Sequence, residues 1–430
     1  MTVAARTSPW AALGGLTRSG SAIEGLSWAL YDFANTIFSF AIVSFAMGPW
    51  ATRFLGEAQG TFAFTLAGSV AVALNAAVSP VLGAMSDRTG GRKGYLLVFT
   101  LACVVPTAVI GFVDIGLGLL LFAIANFAYQ AALIYYDALL PDVARPESRG
   151  RLSGIGVGLG YLGSIVAALL YGLTTDADGR TTALSFVLVA SLFAVFAIPL
   201  FAIVRERRPI PGDRFRVADA LRSWTQIRST IANARERPGL LRFVVARFFY
   251  SDPINTAIAV MSLFAIHAVG YSEGEARGVL IVLIVVAVLA SFAWGWLADR
   301  IGPKRTLMIV LGSWVVGLLL IGLVLERTTF LIAGAILGSG LGGVAVTDRL
   351  LLIRLAPPER VGEMFGLFGL VGKLSAVVGP LMYGGIVLIL QPQLGTLAYQ
   401  VAILSLLVLM VIGVAILRDV PQPPSSELEA

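Results

Sequence analysis

Twelve long apolar runs restrict this chain to one class of fold. A transmembrane helix needs about 20 predominantly apolar residues to cross roughly 30 Å of hydrocarbon, and each run is long enough to do so. With 57% hydrophobic and 13% charged residues, the chain also departs from the composition of soluble domains. The sequence therefore predicts an all-α membrane protein with twelve transmembrane helices. The predicted spans lie near residues 24–48, 61–83, 94–113, 117–140, 152–174, 182–204, 240–267, 277–297, 305–325, 329–353, 363–389 and 396–417.

Lysine and arginine residues predict the orientation of these helices. In short loops both residue types remain on the cytoplasmic side of a membrane. Of the 31 basic residues, 25 lie in the tails, the linker and alternate loops, four lie in the opposite loops, and two lie inside predicted spans. We therefore expect both termini in the cytoplasm. The net charge of +6 then reflects membrane topology rather than nucleic-acid binding.

Several classes of function are disfavoured by what the sequence lacks. Cys103 is the single cysteine and His267 the single histidine, so neither a disulfide nor a histidine-rich metal site is supported. No glycine-rich loop followed by lysine and serine or threonine is present to cradle a nucleotide phosphate. We therefore expect no catalytic residues, no metal, no cofactor and no enzymatic activity. A cleaved signal peptide is not expected either, because the first 25 residues lack an apolar core before a cleavage site.

One long polar stretch divides the spans into two groups of six. Within it, Val217, Leu221, Trp224 and Ile231 recur at helical spacing among arginines, which predicts an amphipathic helix in the membrane interface. A partner-binding role is the alternative for this helix. The predicted organisation is a cytoplasmic N-tail (1–23), an N-terminal bundle (24–204), a cytoplasmic linker (205–239), a C-terminal bundle (240–417) and a cytoplasmic C-tail (418–430).

The two halves are related by an internal duplication. The segment Asp32-Phe-Ala-Asn35-Thr36 matches Asp252-Pro-Ile-Asn255-Thr256 at an offset of 220 residues. Residues 83–90 match residues 295–302, and four residues of the first half match four of the second. Since six spans separate the members of each pair, both halves enter the membrane in the same orientation, as in transporters built from parallel repeats. The four matched pairs are Asp137 with Asp348, Pro146 with Pro357, Arg149 with Arg360, and Gly158 with Gly369.

Two motifs carry a resemblance to a known family. The stretch Gly83-x-x-x-Asp87-Arg88-x-Gly90-Gly91-Arg92-Lys93 resembles the loop signature of the major facilitator superfamily, and residues 295–305 resemble its degenerate second copy. Residues 28–36, Trp-Ala-Leu-Tyr-Asp-Phe-Ala-Asn-Thr, resemble the first-helix signature of the vacuolar amino-acid effluxer subfamily and its bacterial relatives. The resemblance implies the major facilitator fold, with two pseudo-symmetric six-helix bundles, and secondary transport by alternating access.

The resemblance also implies that the loop motif latches the two halves together on the cytoplasmic side. Gly83 would let a neighbouring helix approach closely, and Asp87 would accept hydrogen bonds at a helix N-terminus. Arg149 and Arg360 are candidate partners for Asp87 and Asp299. The alternative is that these arginines only set the topology. The predicted gating residues are Gly83, Asp87, Arg88, Arg92, Arg149, Asp299, Arg300 and Arg360.

Ionisable residues inside the spans predict the binding site. An unpaired charge at the centre of a membrane helix costs about 3 kcal/mol or more, so it tends to face a cavity or a partner. By their distance from the predicted helix ends, Asp32, Asp252 and Lys373 lie nearest the middle of the bilayer. The resemblance places the first and seventh helices at a central cavity. Asp32 and Asp252, together with Asn35 and Asn255, then form a candidate site for substrate and protons.

The remaining intramembrane charges have two alternative roles, substrate binding and helix packing. Arg247 lies five residues before Asp252, which is not same-face spacing, so a pair within that helix is not expected. Arg247 and Lys373 are included as candidate binding residues, with Lys373 as a cation for either aspartate or for an anionic substrate group. A buried pair that only fixes helix packing is the alternative, and it is the role we favour for Asp137 and Asp348.

Polar residues in the fourth span are further candidates for substrate binding. Asn126, Tyr129 and Gln130 lie near its middle, and Asn126 and Gln130 are four residues apart, so they share one face of a helix. Their amides could present donors and acceptors to a polar solute. Hydrogen bonding between helices is the alternative role.

These observations favour a proton-coupled secondary transporter of a small polar solute, with amino acids as one candidate class. We expect a monomer surrounded by membrane lipids, in the bacterial inner membrane, without nucleic-acid partners. Two alternatives stay open: a lipid or amphiphile exporter, and a non-transporting receptor or assembly factor with the same fold. The intramembrane charges favour transport, because a scaffold gains little from them.

Overall fold

The computed structural model describes residues 9–175, 181–207, 238–271 and 273–421. Within these ranges the chain is helical, apart from an isolated antiparallel bridge between Thr17 and Ala144. A short helical turn, Pro9–Gly14, precedes twelve long helices. These are α1 (Ala22–Leu55), α2 (Glu57–Thr89), α3 (Arg92–Val109), α4 (Ile115–Val143), α5 (Arg149–Thr174), α6 (Ala183–Ile203), α7 (Pro238–His267), α8 (Glu273–Ile301), α9 (Pro303–Leu323), α10 (Arg327–Leu355), α11 (Val361–Leu394) and α12 (Leu397–Arg418).

The predicted all-α, twelve-helix membrane fold is confirmed. Among the described residues, ten helices are long and apolar enough to cross a membrane. The two others, α5 and α7, have 26 and 30 residues and therefore also have sufficient length. Every predicted span coincides with one helix of the structure.

The observed helices extend beyond the predicted spans. The second span was expected at 61–83, whereas α2 continues through Asp87 and Arg88 to Thr89 and ends at Gly90, whose φ is +67°. Hydropathy marks only the segment inside hydrocarbon, and a helix continues into the polar interface until a residue such as glycine ends it. The loop motif thus lies largely on the last turn of α2 and the first turn of α3.

The helix α1 contains a wide turn that the sequence did not predict. Residues Ser39–Ala46 form a π-helical segment between the α-helical parts Ala22–Phe38 and Met47–Leu55. Such segments are rare and occur frequently at functional sites. This one follows directly after the Asp32 to Thr36 motif.

The chain divides into two compact units. The first comprises Met1–Ala220 and Glu359–Gly366, and the second comprises Leu221–Pro358 and Leu367–Ala430. The first turns of α11 thus belong to the first unit. The predicted amphipathic linker helix, with Val217, Leu221, Trp224 and Ile231, lies outside the described residues.

Small residues set the helix packing in the first unit. The helix α1 lies along α5 and α6, and Gly156, Gly160 and Gly163 of α5 face α1. A Cβ on Gly163 would lie 2.6 Å from Phe33 O. Such glycines let helix backbones approach closely, which is the usual basis of association in a membrane.

Candidate functional site

Asp32 lies in the first third of α1 and faces the glycine surface of α5. A Cβ on Gly156 would lie 3.4 Å from Asp32 Oδ2, and one on Gly160 would lie 3.5 Å from Asp32 Cγ. One turn further along α1, the hydroxyl of Thr36 donates a hydrogen bond to Asp32 O at 2.8 Å. The Asp32 side chain is half-buried. Its carboxylate therefore lies in the contact between α1 and α5, opposite glycines of α5 that have no side chain.

Aromatic residues form the apolar side of this region. Tyr136 stacks on Trp28 with a centroid distance of 4.6 Å and on Tyr31 with 5.2 Å. The hydroxyl of Tyr31 hydrogen-bonds to Thr100 at 2.7 Å. These three rings are fully buried and packed on one another, so their faces are not open to bind a ligand.

Asp252 occupies the corresponding position on α7. Its Oδ1 accepts the backbone N–H of Gly379 on α11 at 2.8 Å, and the residue is 1% exposed. A Cβ on Gly379 would lie 2.5 Å from Asp252 Oδ2 and would overlap the Thr256 hydroxyl. Neither Asp252 Oδ2 nor Thr256 Oγ1 has a hydrogen-bond partner among the described residues. The carboxyl group thus has one satisfied and one unsatisfied oxygen in a buried environment.

The duplication therefore extends from sequence motifs to side-chain contacts. Asp32 and Thr36 face Gly160, while Asp252 and Thr256 face Gly379. The aspartates are 220 residues apart and the glycines 219 residues apart. The sequence comparison identified the aspartates but not the glycines, because Gly160 and Gly379 stand in helices that contain many other glycines.

Arg247 forms an ion pair with Asp348 rather than with Asp252. Its Nε donates to Asp348 Oδ2 at 3.1 Å, and its Nη1 donates to Phe368 O at 2.9 Å. The guanidinium carbon lies 3.4 Å from the centroid of the Phe368 ring. Tyr250 donates to Asp348 Oδ1 at 2.6 Å. The structure thus agrees that Arg247 does not pair with Asp252, and it places Arg247 in a network that joins α7, α10 and α11.

Asp252 forms no ion pair with Lys373 in the part of the chain that the structure describes. Among the described residues, the carboxylate of Asp252 makes no ion pair with any basic side chain. Lys373 is half-buried on α11, next to Gly372, whose missing side chain leaves room for the Arg247 guanidinium. In the described residues Gly379 N–H is the partner of Asp252, and the roles of Lys373 as a cation for Asp32 or for an anionic substrate group stay predictions.

The other predicted binding residues differ in how far their side chains are buried. Asn35 is 2% exposed, and its Nδ2 has no hydrogen-bond partner in the described part of the chain. Asn126 is 4% exposed, whereas Gln130 and Asn255 are half-buried. Tyr129 packs against Phe38 with a centroid distance of 5.3 Å and lies within electrostatic reach of Asp32.

Tyr161 is a neighbour of Asp32 that the sequence analysis missed. It follows Gly160 on α5, is half-buried, and lies within electrostatic reach of Asp32. No motif in the sequence marks it. The signal that was available is its place directly after the glycine that faces Asp32, and this is visible only once the contact between α1 and α5 is known.

The loop motif forms a close contact with the start of α11, inside the first unit. A Cβ on Gly83 would overlap Gly362 O and lie 2.9 Å from Glu363 N. Asp87 Oδ2 accepts the Glu363 N–H at 2.8 Å. Asp87 therefore caps a helix N-terminus, where the exposed N–H groups and the helix dipole favour an anion.

The cationic partner of Asp87 is Arg92 rather than Arg149. Arg92 is 2% exposed, forms an ion pair with Asp87 Oδ1, and donates from Nη1 to Ala138 O at 2.8 Å. Arg149 is buried but does not contact Asp87. The expectation for Arg149 is wrong, because Arg92 at the start of α3 is five residues from Asp87 and reaches it across the turn.

The remaining predicted gating residues are nearer to solvent. Arg360 is exposed, and its pairing with Asp299 stays a prediction. Asp299 lies within electrostatic reach of Arg354. Arg300 lies over the Trp296 ring at 4.0 Å, and Arg88 is half-buried.

Comparison with known proteins decides the family. A family model described as "Vacuole effluxer Atg22 like" matches residues 51–151 and 145–426. The chain belongs to this family. Its resemblance to the Atg22-like group of major facilitator transporters, inferred above from two motifs, is therefore confirmed.

Relatives of this Atg22-like protein include bacterial and fungal chains. It is 27% identical over 419 residues to the "Uncharacterized MFS-type transporter YxiO" of Bacillus subtilis, covering 94% of this chain and 96% of that one. It is 25% identical to "Autophagy-related protein 22" of Coccidioides immitis, over 63% of this chain and 48% of the fungal protein. These relatives indicate a multi-pass membrane protein that acts in transmembrane transport.

A solved structure supports the same fold. The human organic anion transporter MFSD10 (TETRAN) aligns with a TM-score of 0.71 over 92% of this chain and 98% of that chain, at 16% identity. At this identity the likeness shows the major facilitator fold alone.

Proposed function

We propose that this transporter couples the movement of a small polar solute to protons, with amino acids as the first candidate class. The observation that carries the proposal is the pair of repeat-related carboxylates, Asp32 on α1 and Asp252 on α7, each packed against a glycine. Ionisable groups at equivalent positions in both halves are consistent with a transporter built from two repeats.

The contacts of Asp252 suit a group that binds and releases a proton. Oδ1 is stabilised by the Gly379 N–H, whereas Oδ2 has no described partner. An ionised carboxylate that is poorly solvated is costly, so burial favours the protonated state and exposure to water favours release. A change between these two environments during alternating access would carry a proton across the membrane.

Amides and hydroxyls of the candidate binding residues provide the proposed contacts for the solute. Asn35 offers an unsatisfied amide nitrogen, and Tyr129 lies within electrostatic reach of Asp32. Asn126, Gln130 and Asn255 supply further donors and acceptors. A zwitterionic amino acid would place its ammonium group on a carboxylate and its carboxylate group on an amide N–H or a tyrosine hydroxyl.

The proposed orientation follows from the distribution of basic residues. Both termini and the linker would lie in the cytoplasm of a bacterium, with two six-helix bundles embedded in its inner membrane. The contact of Gly83 and Asp87 with the start of α11 would then act as the cytoplasmic latch. We propose that the protein works as a monomer.

Proton-coupled transport can be tested in proteoliposomes that contain the full chain. The assay follows uptake of a radiolabelled amino-acid mixture and the internal pH, with an imposed pH gradient. We expect Asp32→Asn and Asp252→Asn each to reduce gradient-driven transport at least ten-fold, and the double variant to abolish it. Proton movement that accompanies solute uptake should disappear with them.

Asp114 provides the matched control for this experiment. Its carboxylate accepts the N–H groups of Gly116 and Leu117 at 3.0 and 3.1 Å at the start of α4, and asparagine can cap a helix in the same way. Asp114→Asn should therefore leave transport unchanged. Undiminished transport by the double variant Asp32→Asn, Asp252→Asn would contradict the proposal.

A further inference from the structure

A surface pocket of the second unit combines cationic and apolar side chains. It has a volume of about 530 Å³ and lies where the start of α9 meets the end of α12. Three of its residues are basic, three are apolar, and none is acidic. The lining residues are Lys304, Arg305, Arg418, Ile301, Met308 and Ile309.

The basic residues are concentrated at one end of the pocket. Lys304 Nζ donates to Arg418 O at 2.8 Å, which holds the ammonium group at the C-terminus of α12. Arg305 and Arg418 are exposed, and Arg305 makes no hydrogen bond among the described residues. Asp419 is the acidic residue next in sequence, and its main-chain oxygen accepts a bond from Arg242 Nη1 at 3.2 Å.

Two of the apolar residues, Met308 and Ile309, lie one turn further along α9, and Ile301 is the last residue of α8. Ile309 is 49% exposed and stands four residues after Arg305, so both project from the same face of the helix. Met308 is half-buried beside it. The pocket therefore changes from cationic at the helix end to apolar toward the middle of the helix, in the direction in which a membrane changes from headgroups to acyl chains.

The first unit shows what the pocket lacks. In the first unit, Lys93 Nζ at the start of α3 donates to Val204 O, just after the end of α6, at 2.7 Å. Lys304 at the start of α9 donates in the same way to Arg418 O at the end of α12. Glu206 then supplies an anion, because its carboxylate accepts the N–H groups of Arg92 at 2.8 Å and Lys93 at 3.3 Å at the start of α3. At the start of α9 no described side chain takes the place of Glu206, and Arg418 adds a positive charge instead.

We propose that this pocket binds an anionic phospholipid. The phosphate would contact Lys304, Arg305 and Arg418 at the N-terminus of α9, where a helix favours an anion. One acyl chain would lie on Met308 and Ile309. Basic pockets between membrane helices are known to select anionic headgroups, and a soluble phosphate would make no use of the apolar half. The inference assumes the membrane-spanning transporter fold, but it does not depend on the solute or on proton coupling.

Thermal unfolding of the purified full chain in detergent tests the proposal. The midpoint is measured with increasing dioleoylphosphatidylglycerol, and separately with dioleoylphosphatidylcholine, which has the same acyl chains and no net charge. A ligand that binds only the folded state raises the midpoint according to its concentration and affinity. For the unmodified chain we expect phosphatidylglycerol to raise the midpoint more than phosphatidylcholine does.

Variants of the arginines identify the pocket as the site. Arg305→Gln should weaken the apparent affinity for phosphatidylglycerol about five-fold, since each basic residue near a lipid surface contributes about that factor. Adding Arg418→Gln should remove the difference between the two lipids. Arg53→Gln, which removes an exposed arginine from α1, should respond like the unmodified chain. Because Arg305 makes no described hydrogen bond, the single variant is expected to fold normally.

Two outcomes would overturn the proposal. One is an equal response to phosphatidylglycerol in the unmodified chain and in the Arg305→Gln, Arg418→Gln variant. The other is a full shift with glycerol phosphate alone at the same concentration, which would assign the pocket to a soluble anion. Transport by the aspartate variants is measured separately, so a failure of the proposed function would leave the lipid result standing.

Discussion

Gly379 and Gly160 show how a single missing side chain positions a carboxylate. On α11, the lack of a Cβ lets Asp252 Oδ2 and the Thr256 hydroxyl approach the backbone, so that Gly379 N–H reaches Asp252 Oδ1. On α5, Gly160 leaves more room, since the nearest atom to a Cβ would be Thr36 Oγ1 at 3.1 Å. The two equivalent sites therefore differ in how tightly they enclose the aspartate.

Alanine at Gly379 is expected to disrupt the Asp252 site. The new Cβ would overlap the Thr256 hydroxyl and lie 2.5 Å from Asp252 Oδ2, and overpacking of this kind costs about 1–3 kcal/mol. We expect Gly379→Ala to lower the midpoint of thermal unfolding and to reduce transport at least ten-fold. Gly160→Ala should have a smaller effect on both, because Thr36 Oγ1 is the end of a side chain that can rotate.

Gly384 gives the control on the same helix. A Cβ there would meet nothing within 4 Å, and alanine has the higher helix propensity. Gly384→Ala should therefore keep or slightly raise the midpoint and leave transport intact. A Gly379→Ala variant as stable and as active as Gly384→Ala would contradict the proposed role of the close approach.

At the scale of elements, one ionic network holds three helices together. Arg247 on α7 contacts Asp348 on α10 and the main chain of Phe368 on α11, while Tyr250 adds a second bond from α7 to Asp348. The side chains of Arg247 and Asp348 are 15% and 3% exposed. The pair is thus largely shielded from water, and each member is needed to neutralise the other.

Removing the carboxylate should cost more than removing the whole pair. Breaking a buried ion pair on one side costs about 3–5 kcal/mol, because the remaining charge is uncompensated. We expect Asp348→Asn to lower the midpoint of thermal unfolding more than the double variant Arg247→Met, Asp348→Asn does. Tyr250→Phe should cost about 1.5–3 kcal/mol, the usual value for a hydrogen bond to a charged group. Strictly additive effects of the two single variants in a double-mutant cycle would argue against the network.

The limits of sequence reasoning are clearest for these charged residues. Apolar runs predict all twelve helices, and matching motifs predict that Asp32 and Asp252 are equivalent, because both signals repeat along one chain. The partner of Arg247 or of Asp87 depends on which helices pack together and on which of their residues lie at the same level along the helix axes. Several arginines lie near Asp87 in sequence. Arg92 reaches Asp87 across the turn between α2 and α3, and its bond to Ala138 O on α4 fixes the guanidinium there.

At the scale of the molecule, the duplication is preserved in architecture but not in detail. Both halves place an aspartate against a glycine, and both cap the end of a helix with a lysine. In the first half, however, Tyr136 stacks on Trp28, whereas the second half carries the ionic network of Arg247. The two halves are therefore expected to contribute unequally to stability, even though they share the site residues.

The start of α11 packs inside the first compact unit. Residues 359–366 follow α10 in sequence but belong to the first compact unit. Gly362 and Gly366, four residues apart, allow a backbone contact with α2, and a Cβ on Gly366 would lie 2.7 Å from Pro80 Cα. We therefore expect fragments 1–207 and 238–430, expressed together, to co-purify through a tag on the first fragment, because the contact between α2 and the start of α11 joins them. Removing residues 208–237 leaves every described residue in place.

Leucine at Gly366 should weaken this association. Both atoms nearest to the new side chain belong to the backbone of α2, at Ser79 and Pro80, so neither can rotate away. We expect Gly366→Leu to reduce recovery of the second fragment at least five-fold. Gly312→Leu is the matched control, since a Cβ there meets nothing within 4 Å. Equal recovery of the Gly366→Leu and Gly312→Leu fragments would show that the α2 contact does not hold the halves together.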